Sequence, residues 1–226
     1  MVPIGKVIGK HFEENMGRKK TGLEDRILRT ADTLFYRKGY TNTGISQIVE
    51  EAGTNKPGLY SYFEGKEELA RRYITARDDQ MNARIIAIGV KAADVYEFFR
   101  GWMEYTKELA KGRYGPYNGC AVANFASQTD VGDVGMQEFI KDLGRRWAAR
   151  LTAFIRSEMK AGKFSSSFQA KEIARRMLIC NEGAIAMWKL TGSIAYFDEA
   201  IAMFEMSMKK NDSSIDRGSF HSKKKS

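Results

Sequence analysis

Histidine and cysteine, which supply many of the metal ligands, nucleophiles and proton carriers of enzymes, are scarce in this chain. The histidines are His11 and His221, near opposite ends of the sequence, and the cysteines are Cys120 and Cys180. A zinc site or an acid–base centre needs several such groups close together, which this spacing does not favour. Residues 71–210 also lack a Gly-x-Ser-x-Gly motif and a phosphate-binding loop. We therefore expect no enzyme, no metal site and no cofactor.

The charge balance points to an anionic partner. The 226 residues carry a formal net charge of +9, and the isoelectric point is about 9.4, which is typical of proteins that meet nucleic acid or a membrane surface. The longest uncharged run, residues 114–129, has 16 residues and falls short of the roughly 20 that a membrane-spanning helix needs. The N-terminus lacks the apolar stretch of a secretory signal, and two widely spaced thiols suit a reducing compartment. We expect a soluble cytoplasmic protein with no membrane partner.

Apolar side chains recur at intervals of three and four residues along most of the chain, which is the spacing of one helix face. Leu23, Ile27 and Ala31 begin the first such series, and Gly39 ends it. Strand-like alternation of useful length is absent, and the sequence has only three prolines. These patterns predict an all-α fold with about nine helices.

Two short amphipathic segments near the N-terminus predict a helix-turn-helix, in which the second helix enters the major groove of DNA. Thr43 is placed to cap the first segment, and Gly53 ends it. Asn55 is placed to cap the second, with Pro57 in its first turn. The spacing alone also fits short helix pairs in other helical bundles. Residues 40–75 carry four basic and five acidic side chains, so charge does not single out this segment.

The residues themselves resemble the DNA-binding region of the TetR, or tetracycline-repressor-like, family. The resemblance covers about residues 23–70 and is carried by residues 43–48 (TGISQI), 52–63 (AGTNKPGLYSYF) and 66–69 (KEEL). It implies an all-α homodimer with an N-terminal three-helix DNA-binding domain. It also implies a C-terminal domain that pairs through its last two helices and holds an inducer pocket. We accordingly divide the chain into a basic, flexible arm (1–20), a helix-turn-helix domain (21–68), an effector-binding and dimerisation domain (69–210) and a disordered tail (211–226).

The resemblance implies a set of DNA-contacting residues whose chemistry suits that role. Lys56 can reach guanine acceptors, Pro57 can touch a thymine methyl, and tyrosine hydroxyls can meet phosphates. Thr43 and Lys66 occupy helix N-termini, where backbone N–H groups also favour phosphate. The expected contacts are Thr43, Ser46, Asn55, Lys56, Pro57, Gly58, Tyr60, Tyr62 and Lys66.

Each of these contacts has an alternative. Tyr60 and Tyr62 could instead pack the small domain, and Lys66 could be a solvated charge. Gly44 and Gly58 stand where many relatives carry a side chain with a hydroxyl. The basic run of residues 17–20 could follow a phosphate backbone or enter a minor groove, or it could be a solvated tail.

The C-terminal part is rich in aromatic residues and methionine around a glycine-rich break at residues 112–119. Such side chains line apolar ligand pockets, where a few polar groups orient the ligand, but they also fill ordinary helical cores. The expected ligand-binding residues are Phe99, Trp102, Met103, Tyr105, Tyr117, Cys120, Asn124, Trp147, Asn181 and Trp188.

Cys120 follows Gly119 in a segment that resembles the start of helix 6 in a TetR branch that includes electrophile and oxidant sensors. A thiol at a helix N-terminus can have a lowered pKa and be reactive. The same Gly-Cys pair also occurs in relatives without a redox role, where the thiol is inert and packed. Both interpretations stay open from the sequence.

We thus expect a sequence-specific DNA-binding regulator: a repressor that a small apolar or aromatic ligand, or modification of Cys120, releases from its operator. Its partners would be a near-palindromic double-stranded DNA operator, the small-molecule effector and a second copy of the chain. Binding of the effector would shift the fourth helix and change the separation of the two helix-turn-helix units. The alternative is a helical small-molecule-binding or protein-interaction dimer without operator binding.

Overall fold

The protein is all-helical over the part of the chain that a computed structural model describes, residues 22–130 and 132–209. Nine helices and no strand occur there, as the sequence predicts. The helices are α1 (Gly22–Lys38), α2 (Ile45–Glu51), α3 (Lys56–Tyr60), α4 (Lys66–Lys91), α5 (Val95–Ala110), α6 (Ala121–Gln128), α7 (Val134–Lys160), α8 (Ala170–Thr191) and α9 (Ala195–Met208). The expected basic arm and disordered tail, with both histidines, lie outside the described residues.

Short polar side chains set where several helices begin. The Asp94 carboxylate accepts a hydrogen bond from the backbone N–H of Glu97 at 2.7 Å and starts α5. Asp133 accepts from the N–H of Met136 at 2.9 Å and starts α7. Such caps satisfy N–H groups that have no partner inside the helix.

The buried apolar residues form two clusters. The N-terminal cluster contains residues of α1, α2 and α3, the start of α4, and parts of α6 and α7. The C-terminal cluster contains the end of α4, α5, the last part of α7, α8 and α9. Helix α4 runs through both clusters, since Leu69 and Ile74 belong to the first and Ile85 to the second.

An ion pair ties α1 to α4. Both nitrogens on one edge of the Arg77 guanidinium donate to the Asp32 carboxylate, at 2.6 and 2.7 Å. The guanidinium carbon also lies 4.3 Å from the centre of the Tyr36 ring. Burial alone would lower the pKa of Arg77, but the hydrogen bonds and charge of Asp32 raise it overall. The pair therefore holds a charged guanidinium between the two helices.

The far end of α4 packs closely against α5 and α7 at Gly89. A Cβ atom at this position would lie 2.4 Å from Cε1 of Phe154 and 3.0 Å from Cε2 of Phe98. The Phe154 ring itself packs edge-on against Phe98 and Phe164, so it has little room to retreat. Lys163 further fixes this end by donating to the carbonyl of Val90 at 2.7 Å.

We predict that Gly89→Ala lowers the free energy of unfolding by about 1–3 kcal/mol, because the added methyl group must displace packed aromatic rings. Gly144→Ala in α7 is the matched control, since a Cβ there meets no atom within 4 Å. It should raise stability by roughly 0.5–1 kcal/mol through helix propensity alone. Denaturant unfolding at one protein concentration measures both variants. Equal stability of the two alanine variants would contradict the close packing at Gly89.

Candidate DNA-binding and effector sites

Helices α2 and α3 form the expected helix-turn-helix. Gly53 has a positive φ of 63°, and the N–H of Thr54 bonds back to the carbonyl of Val49 at 2.9 Å to close the turn. The Asn55 side chain accepts from the N–H of Gly58 at 2.8 Å and caps α3. Leu59 is fully buried and anchors this five-residue helix to the N-terminal cluster.

The opposite side of α3 is open to solvent. Lys56, Pro57 and Tyr60 are exposed, Tyr60 by 52%, and so are Ser46 and Asn55. Five of the nine predicted DNA contacts therefore lie on the surface of the helix-turn-helix. The half-exposed Tyr60 ring is therefore not part of the core of the small domain.

Gly58 is explained by its neighbours within the turn. A Cβ atom there would lie 2.5 Å from the Thr54 hydroxyl oxygen and 3.1 Å from the Asn55 side-chain oxygen. A larger residue would therefore disturb the cap of α3. Position 58 can offer DNA only its backbone.

The expectation for Thr43 is wrong. Gly44, not Thr43, is the N-cap of α2, and it makes no side-chain cap. The Thr43 side chain is fully buried, and its hydroxyl donates to the carbonyl of Gly39 at 2.7 Å. It secures the turn between α1 and α2, so this hydroxyl is not available to a phosphate.

Tyr62 and Lys66 lie at the edge of the same surface. Tyr62 is half-buried, and its ring centre lies 6.5 Å from that of Phe63. The Lys66 ammonium lies 4.3 Å from the centre of the Tyr40 ring, and burial lowers the pKa of this lysine. Both side chains thus have packing partners.

Helix α6 is attached at both of its ends to α1 or to the turn between α1 and α2, within the N-terminal domain. At its start, the Tyr36 hydroxyl accepts from the N–H of Asn118 at 2.7 Å. At its end, the Gln128 side chain accepts from the N–H of Tyr40 at 2.8 Å. The Thr41 hydroxyl adds a bond to the Gln128 carbonyl at 2.9 Å. The sequence analysis missed Tyr36 and Gln128, because a tyrosine in a helix and a glutamine before a loop carry no distinctive pattern.

Two cavities lie at this junction. One, of about 10 Å³, holds roughly a single water and is lined by Tyr36, Asn118, Asn124 and neighbouring rings. The other is an open groove of about 340 Å³ between Tyr40, Lys66, Gln128 and the loop that leads into α7. Of the expected ligand-binding residues, Asn124 alone lines either cavity.

The expected ligand-binding residues fall into two groups within the C-terminal part. Phe99, Trp102 and Met103 are fully buried, and the Trp102 ring meets that of Trp147 at 6.4 Å. Tyr117 stacks on Trp188 with ring centres 5.5 Å apart. Tyr105 instead faces Tyr114 at 6.0 Å, and Asn124 accepts from the Lys189 ammonium at 2.6 Å.

Of the two interpretations of Cys120, the reactive one requires a lowered pKa, and the structure does not provide it. The Cys120 sulfur does cap α6, accepting from the N–H of Ala123 at 3.5 Å. Burial, however, raises the pKa of this thiol well above its ordinary value, and the nearby Glu182 carboxylate raises it further. A protonated, hydrogen-bonded thiol is a poor nucleophile. The geometry favours the packing role that the sequence left open.

Glu182 is a polar residue of this region that the sequence analysis missed. It lies on α8, hydrogen-bonds to the Cys120 thiol, and accepts from the Asn181 side-chain nitrogen at 3.0 Å. Burial raises the pKa of the Glu182 carboxyl. The sequence does mark Glu182 as unusual, because it is the one charged residue in the apolar run of residues 177–188.

Other kinds of site receive no support from the described ranges. Residues 22–130 and 132–209 contain no group of three or more histidine, cysteine or acidic side chains that could hold a metal ion. Within the same ranges, no helix has the length and apolar character needed to cross a bilayer.

Two family models match the chain. Residues 27–73 match the one described as "Bacterial regulatory proteins, tetR family". Residues 92–204, half of the chain, match "Tetracyclin repressor-like, C-terminal domain". The two matches together cover most of both hydrophobic clusters.

Similar proteins agree with these matches. The chain is 26% identical to the "Uncharacterized HTH-type transcriptional regulator YfiR" of Bacillus subtilis, over 76% of this chain and 80% of that protein. It is also 26% identical to the "HTH-type transcriptional regulator LmrA" of the same organism, over 72% and 84%. Among solved structures, the reduced form of Escherichia coli NemR shares the fold at a TM-score of 0.70 and 16% identity, covering 84% of this chain and all of that one. The chain therefore belongs to the TetR family and is a helix-turn-helix transcriptional regulator rather than an enzyme.

Proposed function

We propose that this TetR-family regulator is a homodimeric, cytoplasmic repressor. It reads a near-palindromic operator and is released from it by a small apolar or aromatic effector. The observation that carries the proposal is the two-sided construction of α3. Leu59 anchors one side to the N-terminal cluster, while Lys56, Pro57 and Tyr60 face solvent on the other. A short helix fixed in this way can present base-reading and phosphate-contacting groups without further folding.

The surface of α8 and α9 supports a dimer. On α8, apolar or small residues are exposed at Ile179, Gly183, Ala186, Met187 and Leu190, spaced as one helix face. On α9, Met203 and Met206 are exposed in the same manner. Continuous apolar patches of this kind mark protein interfaces, and small residues let two helix pairs approach closely. A two-fold axis there would repeat α3 on the other half of a palindromic operator.

The placement of α6 supports a link between effector and operator. At its start, Cys120 bonds to Glu182 of α8, and the neighbouring Asn118 bonds to Tyr36. At its end, Gln128 bonds to Tyr40. An effector that displaces α6 or α4 would move the helix-turn-helix units of the two protomers relative to each other. Half-sites require a spacing of about 34–36 Å or a multiple of it, so such a movement would weaken operator binding. The buried, protonated thiol at Cys120 favours ligand binding over thiol modification as the trigger.

For DNA binding, we predict that Lys56→Ala weakens operator affinity by about 10- to 100-fold, the range expected for loss of one base contact of about 1–3 kcal/mol. Lys160→Ala is the control, because Lys160 is exposed at the end of α7 and its loss changes the net charge equally. A gel shift with the protein's own upstream DNA at about 150 mM salt measures both, since charge effects are comparable only at fixed salt. If Lys56→Ala binds as tightly as Lys160→Ala, α3 does not read the operator in this way.

For the dimer, we predict that Leu190→Glu produces monomers. Leu190 is 79% exposed in the single chain, so the charge should leave the monomer fold intact. An unpaired charge buried between two protomers costs about 3–5 kcal/mol, which raises the dimer dissociation constant by at least about 100-fold. Val90→Glu is the control, since Val90 is 58% exposed at the end of α4, away from α8 and α9. Sedimentation velocity that finds both variants dimeric would exclude this face as the interface.

A further inference from the structure

A buried acceptor in the effector-binding part lacks a hydrogen-bond donor, and a half-buried carboxylate lies beside it. The Asn181 side chain is 3% exposed, and its oxygen, buried from solvent, has no hydrogen-bond partner in the described structure. The Glu182 carboxylate receives the Asn181 amide at 3.0 Å and the Cys120 thiol. Buried polar groups in folded proteins are normally satisfied, so an orphaned acceptor beside a carboxylate requires an explanation.

The charge of Glu182 is also uncompensated. Among the described residues, no lysine or arginine forms an ion pair with it, whereas Lys189, about two helical turns further along α8, is held by Asn124 at 2.6 Å. Burial raises the pKa of the Glu182 carboxyl, and the two hydrogen bonds only partly oppose this effect. A half-buried carboxylate without a cation has lost part of its hydration and gained no opposite charge in return. A bound positive group would supply that charge.

An aromatic pair, Tyr117 and Trp188, lies on one side of Glu182. Tyr117 lies close enough to Cys120 and Glu182 for their charges to affect its own ionisation, and it stacks on Trp188 at 5.5 Å. Ring faces attract cations, and most strongly where water is excluded. A carboxylate, a free amide oxygen and adjacent ring faces together complement an organic cation with N–H donors. They offer nothing specific to an anion.

Building on the proposed effector response, we infer that Asn181 and Glu182 form the polar end of the effector site and that the effector is an organic ammonium compound with an aromatic or alkyl body. The ammonium group would donate to the Glu182 carboxylate and the Asn181 oxygen. The apolar body would lie against Tyr117 and Trp188. The aromatic residues alone would accept any apolar ligand, whereas Glu182 and Asn181 select one with a positive charge and N–H donors.

The test is direct binding of a matched series without DNA. The probes are butylammonium, benzylammonium and 2-phenylethylammonium, each beside the alcohol in which a hydroxyl replaces the ammonium. Quenching of intrinsic tryptophan fluorescence reports on the site, because Trp188 lies beside it. The wild-type protein should bind at least one ammonium compound at least tenfold more tightly than its alcohol. If no ammonium compound exceeds its alcohol, the inference is wrong.

A matched pair of variants assigns the charge. Glu182→Gln keeps the shape of the side chain and should abolish the preference for ammonium over alcohol. Glu104→Gln removes the same charge from an exposed position of α5 and should keep it. A preference that survives Glu182→Gln would overturn the assignment. The operator gel shift is a separate measurement, so failure to bind cations and failure to bind DNA are distinguishable. If a ligand binds in a Glu182-dependent manner but leaves the DNA complex intact, the binding site is supported, and release of the operator by this ligand is excluded.

A pH series tests the uncompensated carboxyl without any ligand. A carboxyl whose pKa is higher in the folded than in the unfolded chain favours the folded state at low pH, and this contribution is lost as pH rises through the folded pKa. The groups facing Glu182 stay neutral in this range, because burial raises the pKa of both Cys120 and Tyr117, and the Asn181 amide does not titrate. The wild-type Tm should therefore fall relative to that of Glu182→Gln between about pH 5 and about pH 8. A constant difference in Tm would show that Glu182 is already compensated, contrary to the inference.

Discussion

The ion pair between Asp32 and Arg77 is the constraint on which the arrangement of the two halves depends. It joins α1 to α4 within a ring-lined site, where the guanidinium also covers the Tyr36 ring. Because α4 continues without a break from the N-terminal to the C-terminal cluster, fixing α1 on α4 also fixes the helix-turn-helix relative to the effector-binding part. A charged pair of this kind has strict geometry. It therefore fixes the orientation of α1 relative to α4, and with it the orientation of the two halves, in addition to holding the helices together.

Helix α6 provides a second connection, and it differs in kind. Its contacts to α1 and to the turn after α1 are uncharged: hydrogen bonds at Tyr36, Tyr40 and Thr41, and a contact between the Tyr40 and Phe125 rings. Its contacts to α8 pass through Cys120 and a half-buried carboxylate with no cation. The strong joint at α4 and the weaker joint at α6 share the Tyr36 side chain. Glu182 bonds to Cys120, and the carbonyl of the preceding Gly119 accepts from the Tyr36 hydroxyl, so a chain of contacts links Glu182 to the residue that packs on Arg77.

Periodicity in the sequence predicted the helices well because most of them bury one continuous apolar face. The first series, with Ile27 and Ala31, became the buried face of α1. The failures have a common physical cause, namely side-chain surroundings that the residue type alone does not reveal. Thr43 is a reasonable cap by residue type, but the carbonyl of Gly39 takes its hydroxyl. Cys120 sits at a helix N-terminus as expected, yet burial raises the pKa of its thiol, and the Glu182 carboxylate on another helix raises it further.

The junction at Gly39 has a consequence for how this protein can be recombined. Gly39 has a positive φ of 88°, and a Cβ there would overlap the Gln128 side-chain oxygen at 2.2 Å. That oxygen bonds to Tyr40, 88 positions away in sequence. Positions 39 and 128 therefore have to be compatible with each other, although they belong to different halves of the chain. Chimaeras that exchange the first 70 or so residues with a relative will keep a matched joint only when the donor also supplies glycine at position 39. Exchange of the DNA-binding domain between such regulators is therefore limited by the contact between residues 39 and 128 rather than by the DNA-reading surface.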